Sequence, residues 1–137
     1  PMVDVRGNEV VPMLILAQKK FVGRNGLVRL GERYPSLNHW SVREGTTITD
    51  EHETEGYVKV EATHDAPNLD TTENDLLDHL KDPQRQNYRG QRESTYVMFG
   101  QALQVLTGKY PDLRTISLLP GSRSEGRMVD AYHLFGW

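Results

Sequence analysis

The sequence predicts an α+β fold: an antiparallel β-sheet with an N-terminal hairpin, one face covered by a C-terminal helix or helices. Three observations carry this. Trp40-Ser41-Val42-Arg43 and Tyr57-Val58-Lys59-Val60-Glu61-Ala62 alternate apolar and polar residues, the period of strands with one dry and one wet face. From Ser94 to Thr107, Phe99, Ala102, Leu103 and Leu106 recur at three-and-four spacing, the stripe of an amphipathic helix, with Gly108 where a left-handed cap is wanted. The tail from Arg127 to Trp137 carries Met128, Val129, Ala131, Tyr132, Leu134, Phe135 and Trp137, which invite burial against the body or a second subunit.

Met2 to Val5 and Val10 to Lys19 are extended segments about the turn residues Arg6-Gly7-Asn8, so they pair as a hairpin with Pro12 at an edge or strand start. Gly23, Asn25-Gly26 and Gly31 punctuate the next stretch, leaving Leu27-Val28-Arg29-Leu30 as a short strand or bridging segment. In the central pair, Trp40 and Val42 share one face while His39, Ser41 and Arg43 share the other. Val58, Val60 and Ala62 oppose Tyr57, Lys59, Glu61 and Thr63 in the same way. Asp65 to Asp82 is acidic; Thr71-Thr72-Glu73 starts a short helix there, with Leu76, Leu77 and Leu80 on one side and Pro83 beyond its end. A basic, aromatic-bearing loop comes next, with Arg85, Tyr88, Arg89 and Arg92 about Gly90. After the long helix, Pro111-Asp112 opens a segment reaching Leu119, helix or strand, and Gly121 to Gly126 reads as a hairpin loop.

At 137 residues the chain is one domain, residues 1–137, long enough to bury a core without staples. It has no cysteine, which excludes a disulfide framework and a thiolate metal site. None of the five histidines falls at a recognised ligand spacing, so no metal is expected. No phosphate loop, nucleophile elbow or dinucleotide fingerprint is present, and no cofactor is expected. The longest apolar run, Val10 to Ala17, contains Pro12 and is too short to span a bilayer, so no membrane partner is expected. No charged, apolar leader opens the sequence, which makes the cytoplasm the default. A net charge of -3 with interspersed signs restricts nucleic-acid binding to local basic patches. Pro1 offers a secondary amine of the kind the tautomerase superfamily uses as a general base. Arg6-Gly7-Asn8 and Pro12 interrupt the strand-helix unit that opens those enzymes, so catalysis is not expected and no catalytic residue is assigned.

Tyr34-Pro35-Ser36-Leu37, then Ser41-Val42-Arg43, a polar turn and Tyr57-Val58-Lys59-Val60-Glu61 together resemble the central strands of coat proteins of single-stranded RNA bacteriophages. The resemblance implies a homodimer with one continuous sheet, helices of each subunit covering the partner's sheet, and many dimers closing into an icosahedral shell. It implies a virion protein, assembled in the host cytoplasm, whose uncovered sheet face binds single-stranded RNA. Carried over by position, Ser41, Arg43, Lys59 and Glu61 form that face. Arg43 and Lys59 would meet phosphate, Ser41 a base or backbone, and Glu61 would orient a neighbour. Residues 65 to 93 and the segment past Pro120 depart from that pattern, as does the net acidity. A fainter likeness to single-strand annealing proteins implies instead a basic groove formed by Arg85, Arg89 and Arg92, with Tyr88 stacking on a base.

Overall fold

Two small antiparallel sheets hold one central helix between them in the computed structural model, which describes residues 2–42, 45–66 and 70–133. Strand β1 (Pro12–Ala17) pairs with β3 (Gly56–Glu61), placing Met13 opposite Val60 and Ile15 opposite Val58. Between them the chain forms helix α1 (Gly23–Arg33) and the two-residue strand β2 (Thr49–Asp50). Helix α2 (Glu73–Lys81) and helix α3 (Glu93–Thr107) come next, and β4 (Ser117–Ser124) and β5 (Arg127–Ala131) close the second sheet in the order β2-β4-β5.

α3 is the centre because it is apolar on two sides. Tyr96, Phe99 and Leu103 pack on Ile15, Val60 and Leu119, and Val97 faces Phe21, Leu27 and Leu30 of the α1 region. Each large side chain so buried contributes about 1.5–3 kcal/mol. The helix stops where Gly108 turns left-handed at φ 84° and donates its N–H to Gln104 O at 2.7 Å. α2 starts as its sequence indicates: the Thr72 hydroxyl accepts from Asp75 N, and the Asp75 carboxylate accepts from Thr72 N, a reciprocal cap. β4 and β5 turn at Glu125-Gly126, both at positive φ, and their register slips between Leu119 and Arg123. That bulge is what admits Pro120 into a strand. It also brings Gly121 against the 90–91 backbone, where its N–H donates to Gln91 O at 3.0 Å and a Cβ would stand 2.1 Å from Gly90 O.

The α+β class and the antiparallel pairing agree with the sequence-based expectation. Several details differ. The turn at Arg6-Gly7-Asn8 forms, closed by a bridge between Val3 and Glu9, but Pro12–Ala17 takes Gly56–Glu61 as its partner rather than Met2 to Val5. The sheet is divided in two, a β1–β3 ribbon and a β2-β4-β5 sheet. Leu27 and Leu30 lie in α1, buried one helical turn apart, a spacing that four residues between glycines do not reveal. Trp40, Ser41 and Val42 form no strand; Trp40 and Val42 nonetheless pack together on the Phe21–Leu27–Leu30 cluster. On β3 the alternation is as read: Val58 and Val60 turn inward, while Tyr57 and Lys59 are exposed. In the tail, Met128 is buried, and Val129 and Ala131 pack on the core; Leu134, Phe135 and Trp137 lie outside the described residues, as does Pro1.

Candidate functional site

The first turn of α3 is anchored by a run of polar contacts. Glu93 N–H donates to Ser122 Oγ at 3.0 Å, Ser122 in turn donates to Asp50 Oδ1, and Asp50 Oδ2 accepts Gly23 N–H at 2.8 Å at the start of α1. One short strand residue thus ties two helices to β4. The residue before α3, Arg92, is 1% exposed, and its guanidinium donates to the carbonyls of His52, Thr54 and Gln18 at 3.2, 3.1 and 3.5 Å.

Held in this way, the Glu93 side chain enters a cavity of about 220 Å³ enclosed by α1, α3, β4, β5 and the 39–42 segment. Leu27, Trp40, Val42, Val97 and Leu119 make its walls apolar, and His39, Tyr96, Tyr132 and His133 add rings. Glu93 Oε2 and Trp40 Nε1 are themselves buried in the surrounding protein without a hydrogen-bond partner. Burial pushes the Glu93 carboxyl up to about 7, with the nearby Asp50 adding to the rise and Arg24 opposing it. A glutamate in the first turn of a helix has an ordinary structural explanation, since it complements the helix dipole. A first-turn glutamate buried with one oxygen unpaired lies outside that explanation.

Two imidazoles and one phenol at the cavity, His39, His133 and Tyr96, are set to stay neutral. His133 stacks on Tyr110 with centroids 4.7 Å apart, on His39 at 5.7 Å and on Tyr96 at 5.7 Å. Its Nδ1 lies 2.8 Å from Pro111 O; a carbonyl only accepts, so Nδ1 carries the proton and Nε2 is the basic nitrogen. Burial lowers the pKa of His133, and burial likewise lowers that of His39. Gly100 leaves room for the imidazole: a Cβ there would lie 3.0 Å from His133 Nε2. The Tyr96 hydroxyl donates to Asp112 Oδ2 at 2.7 Å, and Ser117 and Thr115 also donate to this carboxylate. Burial, then the Asp112 charge, drive the phenol's pKa far upward, so Tyr96 keeps its proton. Asp112 itself is 2% exposed at φ 55°, a left-handed backbone that three side-chain hydrogen bonds stabilise. Beside these three rings Glu93 is the carboxyl whose burial brings it near neutrality, and exposed Asp130 lines the same cavity.

The residues singled out from the sequence do not converge on one surface. Ser41 is on the rim of the Glu93 cavity, and Arg43 lies outside the described residues. Lys59 is exposed on the outer side of the β1–β3 ribbon. Glu61 is half-buried at a second cavity of about 260 Å³, with Tyr88 and Arg89 also on its wall; burial, then Asp4, raise its carboxyl pKa. Arg85 pairs with Asp82, and Arg89 donates to the carbonyls of Gln86 and Tyr88 while staying exposed. The Tyr88 hydroxyl accepts Val3 N–H at 2.9 Å. Arg92 corrects the basic-groove expectation, because a guanidinium enclosed by three backbone carbonyls cannot reach a phosphate. Sequence reasoning passes over Glu93, and no local signal marks it. In the sequence His39 reads only as a polar-face neighbour of Ser41 and Arg43, and His133 as a histidine without ligand spacing; among the described residues no group of three or more His, Cys, Asp or Glu is placed to hold a metal ion. Among the same residues no helix is long and apolar enough to cross a membrane.

This arrangement can bind a small organic molecule, orient it between rings and exchange a proton with it at one carboxyl. Comparison with protein-family models, with characterised proteins and with solved structures finds no match to this chain.

Proposed function

We propose that this protein binds a small, uncharged organic molecule in the Glu93 cavity and that Glu93 exchanges a proton with it, acting as acid or base near neutral pH. The observation that supports this reading is the Glu93 carboxyl: inside an apolar-walled cavity, one oxygen unpaired, its pKa pushed up to about 7. Paired with neutral imidazoles and a phenol that keeps its proton, it is the natural proton carrier of the site. Carboxyl-detected NMR on glutamate-labelled protein tests this. Glu93 is expected to titrate with a midpoint near 7, well above the model-peptide glutamate value of about 4.3. A Glu93 midpoint in the ordinary carboxyl range sinks the reading.

A second reading, self-association into a coat-like assembly that takes up single-stranded RNA, is favoured by one surface. On the solvent side of the β1–β3 ribbon, Leu14 is 63% and Tyr57 76% exposed, with Leu16, opposite Tyr57, at 38%. Strand edges carrying such residues invite pairing with another copy. Sedimentation velocity at micromolar concentration is expected to show dimers or larger species that Leu14→Lys disperses. A monomer across the whole concentration range excludes the assembly.

A further inference from the structure

Basic side chains are unevenly spread along the chain. Residues 19–33 hold five of its 16 lysines and arginines but one of its 19 aspartates and glutamates, Glu32. Arg24 is accounted for within the fold, since its guanidinium donates to Thr46 O and its charge opposes the rise at Glu93. Lys19, Lys20, Arg29 and Arg33 are exposed. Among the described residues none of these four forms an ion pair, whereas Arg85, Arg114, Arg123 and Arg127 each meet a carboxylate. The fold gathers the unpaired cations around two rings. Arg29 Nη1 donates to Lys20 O at 3.3 Å, which ties α1 to the turn before it. Lys20 Nζ lies 5.2 Å from the centre of the Phe21 ring, Phe21 meets Tyr34 edge-on at 6.3 Å, and the Arg33 guanidinium lies 5.0 Å from the centre of the Tyr34 ring. Folding alone does not favour this arrangement, because Arg29 and Arg33 stand four residues apart on α1, where like charges repel. A polyanion turns that repulsion into attraction.

We infer that this face binds a single nucleic-acid strand, with phosphates on Lys20, Arg29 and Arg33 and a base stacked on the Arg33–Tyr34 pair. The inference goes beyond both readings of function and depends on neither the Glu93 cavity nor assembly. Charge complementarity sets the sign of the partner, and the rings select among polyanions. A guanidinium held over a phenol is a platform for an unpaired base, which a duplex keeps within its own stack. A lipid surface fits less well. A helix that lies on a bilayer turns its apolar side to the lipid, whereas Leu27 and Leu30 are buried in the core and Val28 is the one large apolar side chain exposed on α1.

Fluorescence anisotropy of a labelled dodecauridylate, followed across salt concentrations, tests this. The log of the association constant is expected to fall with log salt at a slope of about -2, as three neutralised phosphates of a single strand require. Arg29→Ala and Arg33→Ala, both at exposed positions, are each expected to weaken binding and to flatten the slope by about 0.7. Tyr34→Leu keeps every charge and an apolar side chain beside Phe21, and it is expected to weaken binding at least about fivefold with the slope unchanged. Should that variant not fold, Arg33→Lys, which keeps the charge and loses the plane, is expected to act in the same direction. Lys109→Ala removes an exposed cation elsewhere and is expected to leave the affinity within about twofold. Polyglutamate, an RNA duplex of the same length and phosphatidylserine vesicles are the competitors, each expected to displace the probe at least about tenfold less well than unlabelled dodecauridylate. A competitor that matches the single strand overturns the inference. So does a slope unchanged in both alanine variants, an affinity unchanged in Arg33→Lys, or no binding at micromolar protein in low salt. Sedimentation of the same samples keeps this apart from the coat-like reading: loss of binding in Arg29→Ala and Arg33→Ala at the parent's oligomeric state supports the patch, whichever state that is.

Discussion

Replacing Arg92 by alanine is expected to destabilise the fold by about 3–5 kcal/mol, because charge-assisted hydrogen bonds are worth about 1.5–3 kcal/mol each and their loss strands buried acceptors. Arg92 sits at the junction of three segments, the 18 position after β1, the 52–54 turn and the start of α3, and it bonds carbonyls of the first two. None of these carbonyls has solvent access through the guanidinium, which belongs to a residue 1% exposed. Burial lowers the arginine's pKa, and Asp50 and Glu53 nearby oppose that shift. The site therefore holds a charge by carbonyl dipoles and by two carboxylates that favour it without a direct ion pair. Urea unfolding of Arg92→Ala and Arg92→Lys measures the effect. Lysine keeps the charge but lacks the planar fork, so it is expected to recover only part of the loss. Arg89→Ala, on the same loop but exposed, is the control and is expected to change stability by less than about 0.5 kcal/mol. A loss below about 1 kcal/mol for Arg92→Ala would show that the three carbonyls find water or other donors without it.

Glu93→Gln is expected to make the protein more stable at alkaline pH, by up to about 3 kcal/mol, since each pKa unit corresponds to about 1.4 kcal/mol. The direction of the shift sets the sign. The folded carboxyl titrates near 7, above its unfolded value of 4.5, so between these values the native state holds a proton that the unfolded state has released. Stability from this group is fully present below about pH 4.5 and is lost as pH rises through 7. Glutamine cannot ionise, so its stability profile lacks that decline. Denaturation at pH 5, 7 and 8.5 compares the two proteins; parallel profiles would mean that Glu93 is solvated after all. The same desolvation that destabilises the ionised form is what poises the carboxyl to give or take a proton near neutrality. Stability and proposed function therefore oppose each other at this residue.

The fold is legible in the sequence wherever a residue's burial depends on its neighbours along one element. The α3 stripe of Phe99 and Leu103, the Gly108 stop, the Thr72 start and the inward Val58 and Val60 are all local statements, because periods of 3.6 and 2 map directly onto faces. It is not legible where pairing across the chain chooses between alternatives of equal local merit. Pro12–Ala17 has two plausible strand partners, and the more distant one prevails because it lets Ile15 and Val60 close over Tyr96 and Phe99. Trp40 and Val42 keep their apolar side without a strand, since burial against Leu27 and Leu30 requires direction, not a ladder.

Alternation and helical spacing in the amino-acid order determined that this protein is α+β, that a single long helix covers a ribbon, and which sides of both are dry. Only the tertiary structure decided that Arg92 is interior and that Glu93 lies in a cavity beside Trp40 and His133. The reason is physical. A charged residue's environment depends on what the rest of the chain folds over it, and desolvation by segments far away in the chain leaves no mark on the residues next to it.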